Sequence, residues 1–178
     1  TVCAALLHDV IEDTGTTKEN IGQLFNENIA RYVDGVSKLE YSVDGTHNKL
    51  DNLAYMRKLI TESPEDLEIM LIKLADKLHN MSTLNYKSLK KQKTTAKETL
   101  ELFVPLAAGY GVYQIKNQLE NYSLKYIDSP GYHLINYAVR DILIKRKSEV
   151  LETLKEINKY LNIYNIDSTA KLSVKNTY

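Results

Sequence analysis

Ser63-Pro64-Glu65-Asp66-Leu67-Glu68-Ile69-Met70-Leu71-Ile72-Lys73-Leu74-Ala75-Asp76-Lys77-Leu78-His79-Asn80 is the stretch whose reading decides the fold. It opens with a capping serine, a proline at the first helical position and acids in the first turn, where they complement the free amides of a helix start. Leu67, Met70, Leu71, Leu74 and Leu78 then recur three and four apart, which predicts a helix from Leu67 to Asn80 with that stripe in a core. Asp76 sits within this apolar frame, Asn80 follows it by one turn, and His79 lies nearby. A carboxylate in such a setting is costly without a partner.

Working outward, the same period recurs. Ile29, Tyr32, Val33 and Val36 share a face between Asn28 and Leu39. Thr16 with Glu19 reads as a capping box opening a helix through Ile21, Leu24 and Phe25. A first helix spans Val2 to Glu12 and stops at Asp13-Thr14-Gly15. Glu40 to Thr46 reads as a polar loop, and a charged helix follows from His47 to Thr61. Downstream, Lys87 to Lys93 reads as a basic loop, with helices over Thr95 to Phe103, Val112 to Tyr126, and Tyr132 to Leu161, the last broken in two. From Ala170 the pattern alternates with period two, a strand signal. Three prolines and seven glycines leave few breaks, and no solenoid-length repeat is present. The expectation is an all-α fold: residues 1–127 as one helical unit, and 128–178 as linker helices and the start of a further domain.

The bulk properties narrow the classes. Of 178 residues, 43% are apolar and 26% charged, as in soluble globular proteins. Lys+Arg and Asp+Glu are 23 each, so no global field points to nucleic acid. Cys3, the sole cysteine, excludes an intrachain disulfide, fits a reducing compartment, and reads as core between Val2 and Ala4. No stretch has membrane-spanning length and the first residues lack a signal pattern, so a cytoplasmic protein is expected. Because the chain opens in mid-pattern, Val2-Cys3-Ala4-Ala5-Leu6-Leu7, it reads as part of a longer one.

Leu6-Leu7-His8-Asp9-Val10-Ile11-Glu12-Asp13 carries the chemistry. On a continuous helix, His8 and Glu12 are four apart, Asp9 and Glu12 three, and Asp9 and Asp13 four, so the four groups cluster at one side. Carboxylates that close repel unless a cation lies among them. Imidazole with carboxylate suits Mn²⁺, Fe²⁺ or Zn²⁺. The plain alternative is a solvated acidic helix end with an ordinary histidine. A second helix bringing Asp76 to His8 and Asp9 would complete a mixed His/Asp site.

These residues resemble the RelA/SpoT homologues, enzymes that make and degrade guanosine tetra- and pentaphosphate, in their N-terminal His-Asp (HD) hydrolase domain. Ala4 to Thr14 is similar to that domain's metal segment, and Val33-Asp34-Gly35-Val36-Ser37-Lys38-Leu39 to its V-D-G-V-T-K-L stretch. Asn52 to Lys58 resembles its helix ending in R-K, and Leu74 to Leu84 its L-A-D-R-L-H-N-M-R-T-L; Glu98-Thr99-Leu100 and Pro105-Leu106-Ala107 follow in order. The resemblance implies that His8, Asp9 and Asp76 ligate one divalent ion, usually Mn²⁺. It implies that Glu12 and Asp13 position and deprotonate water, that Asn80 and Thr83 contact the nucleotide, and that Lys38 or Arg57 lies near its phosphates. The expected reaction releases pyrophosphate from the 3′ position to leave GDP or GTP, with synthetase and regulatory domains elsewhere in the parent chain. A further histidine ligand and a basic segment lie one helix upstream in the family, before Thr1. Ser82 replaces a usual arginine, and Ala108-Gly109-Tyr110 departs from the family's His/Asn-Arg-Leu. Leu172 to Tyr178 resembles the first synthetase strand, with Lys175 at a phosphate-binding position and Ser173 in place of arginine.

Other groups read more plainly. The lysines between Lys87 and Lys97 make a solvated basic stretch without interleaved stacking residues apart from Tyr86. Of thirteen tyrosines, those at 122, 126, 132, 137, 160 and 164 fall at near-helical spacing and are expected between helices. His47 and His133 read as surface residues. Against hydrolysis stand two other functions: an alarmone-binding regulatory module without turnover, and an HD phosphohydrolase of another nucleotide.

Overall fold

The computed structural model describes residues 1–43 and 67–172, the side chains of 38–43 excepted. Among them every regular element is helical: α1 (Val2–Leu6), α2 (Val10–Asp13), α3 (Lys18–Leu24), α4 (Glu27–Val43), α5 (Leu67–Ser82), a 3₁₀ turn (Leu84–Tyr86), α6 (Leu89–Glu98), a π turn (Thr99–Phe103), α7 (Val104–Gly109), α8 (Tyr113–Ile127), α9 (Ser129–Lys145) and α10 (Lys147–Ile163). The all-α expectation holds. None of the described helices is long and apolar enough to cross a membrane.

α5 organises the fold, though not through the single stripe expected of it. Ile69 and Ile72 pack with Ala4, Ile21, Ala30, Val33 and Val36 in one cluster. Met70, Leu74 and Met81 pack with Leu84, Ala96, Phe103, Val104, Leu106, Ala107 and Leu119 in another. Leu67 is exposed and Leu71 and Leu78 are half-buried, so the buried residues of the helix divide between two sides and do not follow the expected stripe. α4 lies so close to α5 that a Cβ at Gly35 would collide with Ile69 Cδ1.

Several local readings need correction. The capping box is one residue later than read: Thr17 Oγ1 accepts from Asn20 N at 3.3 Å, and Asn20 Oδ1 accepts from Thr17 N at 3.0 Å. Thr16 lies outside the cap, its hydroxyl accepting instead from Thr14 Oγ1 at 2.8 Å. α4 continues through residues 40–43, read as loop; residues 44–46, the helix read over His47 to Thr61, and the Ser63–Asp66 start lie outside the described residues.

The basic stretch is helical. Ser88 Oγ accepts from Lys91 N at 3.4 Å, and lysine and glutamine sustain the helix that follows. That run widens into a π turn at Thr99–Phe103 just before Pro105. Pro105 has no N–H for the carbonyl of Glu101, and its ring would crowd that carbonyl in a regular helix.

The expected break in the last helical run is present at Arg146, between α9 and α10. Neither helix contains a fully buried residue. Tyr122 and Tyr126 pack on the core of α5 to α8, whereas Tyr137, Tyr160 and Tyr164 are exposed. His133 is exposed as read, and Cys3 is exposed rather than core. Ala170–Leu172 form no strand: Asn158 Oδ1 accepts from Ala170 N at 2.9 Å, which ties the segment to α10. Residues 173–178 lie outside the described residues.

Candidate active site

The continuous helix read over Val2 to Glu12 is interrupted at the residues that carry the chemistry. α1 ends at Leu6, and α2 starts only at Val10. Between them Leu7 (φ −104°, ψ 6°) and Asp9 (φ −94°, ψ −4°) make a turn, closed by Val10 N donating to Leu7 O at 3.0 Å. The turn sets His8 by one further bond, Nδ1 to Ala5 O at 2.9 Å. A carbonyl only accepts, so Nδ1 carries a proton and Nε2 is the atom presented to the site.

Asp9 occupies the N-cap position of α2. Its carbonyl accepts from Glu12 N at 3.0 Å and Asp13 N at 2.8 Å, but its carboxylate makes no capping bond. The carboxylate turns to His8 instead, Oδ1 lying 3.0 Å from Nε2. From α5, Asp76 reaches the same nitrogen, Oδ1 to Nε2 at 3.4 Å. Asn80 Nδ2 donates to this Oδ1 at 2.8 Å, and Lys73 Nζ lies 3.6 Å from Oδ2. The two oxygens of Asp76 therefore have different duties: one faces the cluster, the other a lysine whose side chain is only 8% exposed.

His8, Asp9, Asp76 and Asn80 are thus brought together from two segments some seventy residues apart in sequence. Glu12 follows on α2, half-buried with Oε1 shielded from solvent, and Asp13 ends that helix exposed. Thr83 turns its hydroxyl back onto α5, to His79 O at 3.2 Å and Asn80 O at 3.4 Å. Lys38 belongs to α4, but its side chain is not described, and Arg57 lies outside the described residues. Sequence reading overlooked Lys73; its place three residues before Asp76, in a run of Ile, Leu and Ala, was the available signal.

As the side chains stand, no group of three or more His, Cys, Asp or Glu encloses an ion position among the described residues. Both carboxylates turn toward the imidazole. The donor chemistry nevertheless fits a divalent ion, since ligand atoms each about 2.1 Å from one ion are about 3.0 to 3.4 Å apart at right-angled to tetrahedral geometry. The imidazole nitrogen has one carboxylate oxygen at 3.0 Å and another at 3.4 Å, and such donors make a borderline-to-hard set. The Nδ1 bond to Ala5 O is the kind of outer contact that orients a ligating histidine.

Comparison with known proteins places these residues in context. The profile of one family, described as HD domain, matches residues 1–113. A protein of Aquifex aeolicus (strain VF5) named guanosine-3′,5′-bis(diphosphate) 3′-pyrophosphohydrolase is 37% identical over 183 residues, covering 100% of this chain and 25% of that protein. The protein of Escherichia coli (strain K12) named bifunctional (p)ppGpp synthase/hydrolase SpoT is 39% identical over 157 residues, covering 88% of this chain and 22% of its own length. A Myxococcus xanthus protein named GTP pyrophosphokinase is 39% identical over 150 residues, 83% of this chain and 19% of its own. The chain spans a quarter or less of the length of these relatives.

Proposed function

The chain belongs to the HD domain family, in its RelA/SpoT branch, and from that premise we propose that it contributes the hydrolytic centre of a guanosine 3′,5′-bis(diphosphate) 3′-pyrophosphohydrolase. The observation that carries the reading is the convergence of His8, Asp9 and Asp76 at 3.0 and 3.4 Å. In this reading the three would hold a divalent ion, Mn²⁺ by preference. When bound, that ion supplies positive charge at the phosphoryl oxygens and lowers the pKa of water.

The chain's own residues do the rest. Lys73 and Asn80 fix Asp76 from either side, and Ala5 O holds the imidazole so that Nε2 faces the carboxylates. Glu12 and Asp13 orient the attacking water and take its proton. Water adds at the phosphorus joined to the 3′ oxygen, that bond breaks, and GDP or GTP leaves with pyrophosphate as the second product. Asn80 and Thr83 contact the nucleotide, and Lys38 or Arg57 its phosphates. The boundary after residue 127 and a cytoplasmic setting belong to the same reading; the end of α8 at Ile127 supports the boundary.

The test is pyrophosphate release from guanosine tetraphosphate by the parent protein with Mn²⁺. Asp76→Ala is expected to lower turnover by about a hundredfold or more, as for loss of a ligand to the ion that stabilises charge and activates water. Absence of turnover in folded, metal-loaded parent protein overturns the reading. The relative named for GTP pyrophosphokinase supports a second reading, an HD unit that binds alarmone to control an attached synthetase. Calorimetric binding without turnover would select it.

A further inference from the structure

The lysine-rich segment has a place in the fold that its sequence alone does not reveal. Residues 81–97 include Lys87, Lys90, Lys91, Lys93 and Lys97 with no Asp or Glu, in a chain of zero formal net charge. α6 turns Lys90 and Lys93 to one side, since residues three apart are neighbours on a helix. α6 packs along α8, whose last turn carries Lys125. These three lysines, with Leu89, Tyr126 and Pro130 among the other walls, line a cavity of about 620 Å³.

Three properties mark this cavity. No carboxylate lines it. Among the described residues, none of the three ammonium groups has an acidic partner at ion-pair distance. Like charges gathered around one concavity repel each other, and a bound anion relieves that repulsion. The remaining wall is neutral, with Gln92 and Ser129 beside the apolar Leu89, Ile127 and Pro130 and the aromatic ring of Tyr126, whose centroid lies 5.5 Å from Lys125 Nζ. A space of this size accepts a nucleotide-sized ligand. Lysine clusters match the charge of phosphate, while a tyrosine face and a proline offer stacking surface to a flat ring.

A second hollow of about 570 Å³ forms a contrast. Its lining, which includes Lys155 and Lys159, comes from α10 alone and has no aromatic wall. One helix gives a surface; three elements give a cleft.

We propose that the cavity between α6, the end of α8 and the start of α9 binds a phosphorylated small molecule of nucleotide size, with phosphates on Lys90, Lys93 and Lys125 and its ring against Tyr126 and Pro130. None of its lining residues belongs to the His8-Asp9-Asp76 centre. The site therefore stands apart from the hydrolytic reading and does not require it.

The experiment is calorimetric titration of the 178-residue chain, without added divalent metal, with ATP and separately with inorganic tripolyphosphate. ATP binding is expected, weakened about tenfold or more in Lys90→Glu/Lys93→Glu/Lys125→Glu through loss of charge-assisted phosphate contacts. Asp76→Ala and Lys155→Glu/Lys159→Glu should bind ATP like the unmodified chain, and tripolyphosphate should bind more weakly than ATP. If the triple variant melts early, Lys90→Gln/Lys93→Gln is read in its place, with a smaller but measurable loss expected. No ATP binding, unchanged affinity in the folded variants, or an equal loss in the Lys155/Lys159 control overturns the proposal. Tripolyphosphate binding as tightly as ATP overturns the ring contact. A short single-stranded RNA that outcompetes ATP at the same lysines overturns the small-molecule assignment.

Discussion

α5 and α9 have similar lengths, 16 and 17 residues, and both carry apolar residues at helical spacing, yet their surroundings are opposite. α5 buries Ile69, Met70, Ile72, Lys73, Leu74 and Met81 between two clusters. α9 buries none of its residues, and Leu134, Tyr137 and Ile144 are 70%, 73% and 75% exposed. The difference teaches that periodicity specifies a helix, while the number of elements packed around it decides how much of its apolar surface leaves water. It also explains where a carboxylate can be put to use. Only a helix held on two sides keeps Asp76 at a fixed place beside His8.

The sharpest way to break this comparison is to remove the same kind of side chain from both helices. Leu74→Ala, at a position with no exposed surface, should cost about 2 to 5 kcal/mol, the range for emptying a filled core site. Ile144→Ala on α9 should change stability by about 0.5 kcal/mol or less, as surface substitutions do. Urea denaturation of the two variants decides it, and equal losses would mean that α9 is as well packed as α5.

A smaller contrast lies in two lysine–aspartate pairs. Lys73→Met strips Asp76 of a buried cation and should destabilise by about 1 to 3 kcal/mol. Lys145 pairs with Asp141 at 2.7 Å, but its side chain is 71% exposed, so Lys145→Met should cost about 0.5 kcal/mol or less. Thermal melts at matched pH compare them; a large effect at Lys145 would remove the distinction.

The smallest effect is at the rim of the well-packed half. Glu19, in the first turn of α3, is held below the usual glutamate range by its backbone hydrogen bond first and by the Thr17 side chain second. A lowered folded-state pKa contributes stability above the unfolded value and loses it as pH falls through the folded value. Carboxyl NMR titration should give Glu19 a midpoint below that of an unperturbed glutamate. A midpoint at or above the ordinary value would remove this contribution.

Much of the fold was legible. Spacing located α4, α5 and α8, because burial imposes a helical period that the chain displays openly, and it also placed the break between α9 and α10. Boundaries were harder. Thr16 and Thr17 are chemically equivalent caps, and the folded chain uses Thr17, in a reciprocal pair with Asn20. The basic stretch looked like loop because charge density is easily read as solvation, although lysine is a good helix former once Ser88 caps the run. At the site, His8, Asp9, Asp76 and Asn80 stood out as polar groups in apolar company. The interruption between α1 and α2 did not, since residues 2–12 satisfy a helical pattern without it.

The sequence by itself determined the helical period, the neutral charge balance, and the family to which the His-Asp segments belong, because these depend on residue identity and spacing along one chain. Tertiary structure alone decided the rest. It turned α5 into a helix with two buried faces, set the Asp76 oxygens to separate tasks through Lys73 and Asn80, and gathered Lys90, Lys93 and Lys125 around one cavity. Each of these depends on distances between elements far apart in sequence, and such distances arise only when the cores close.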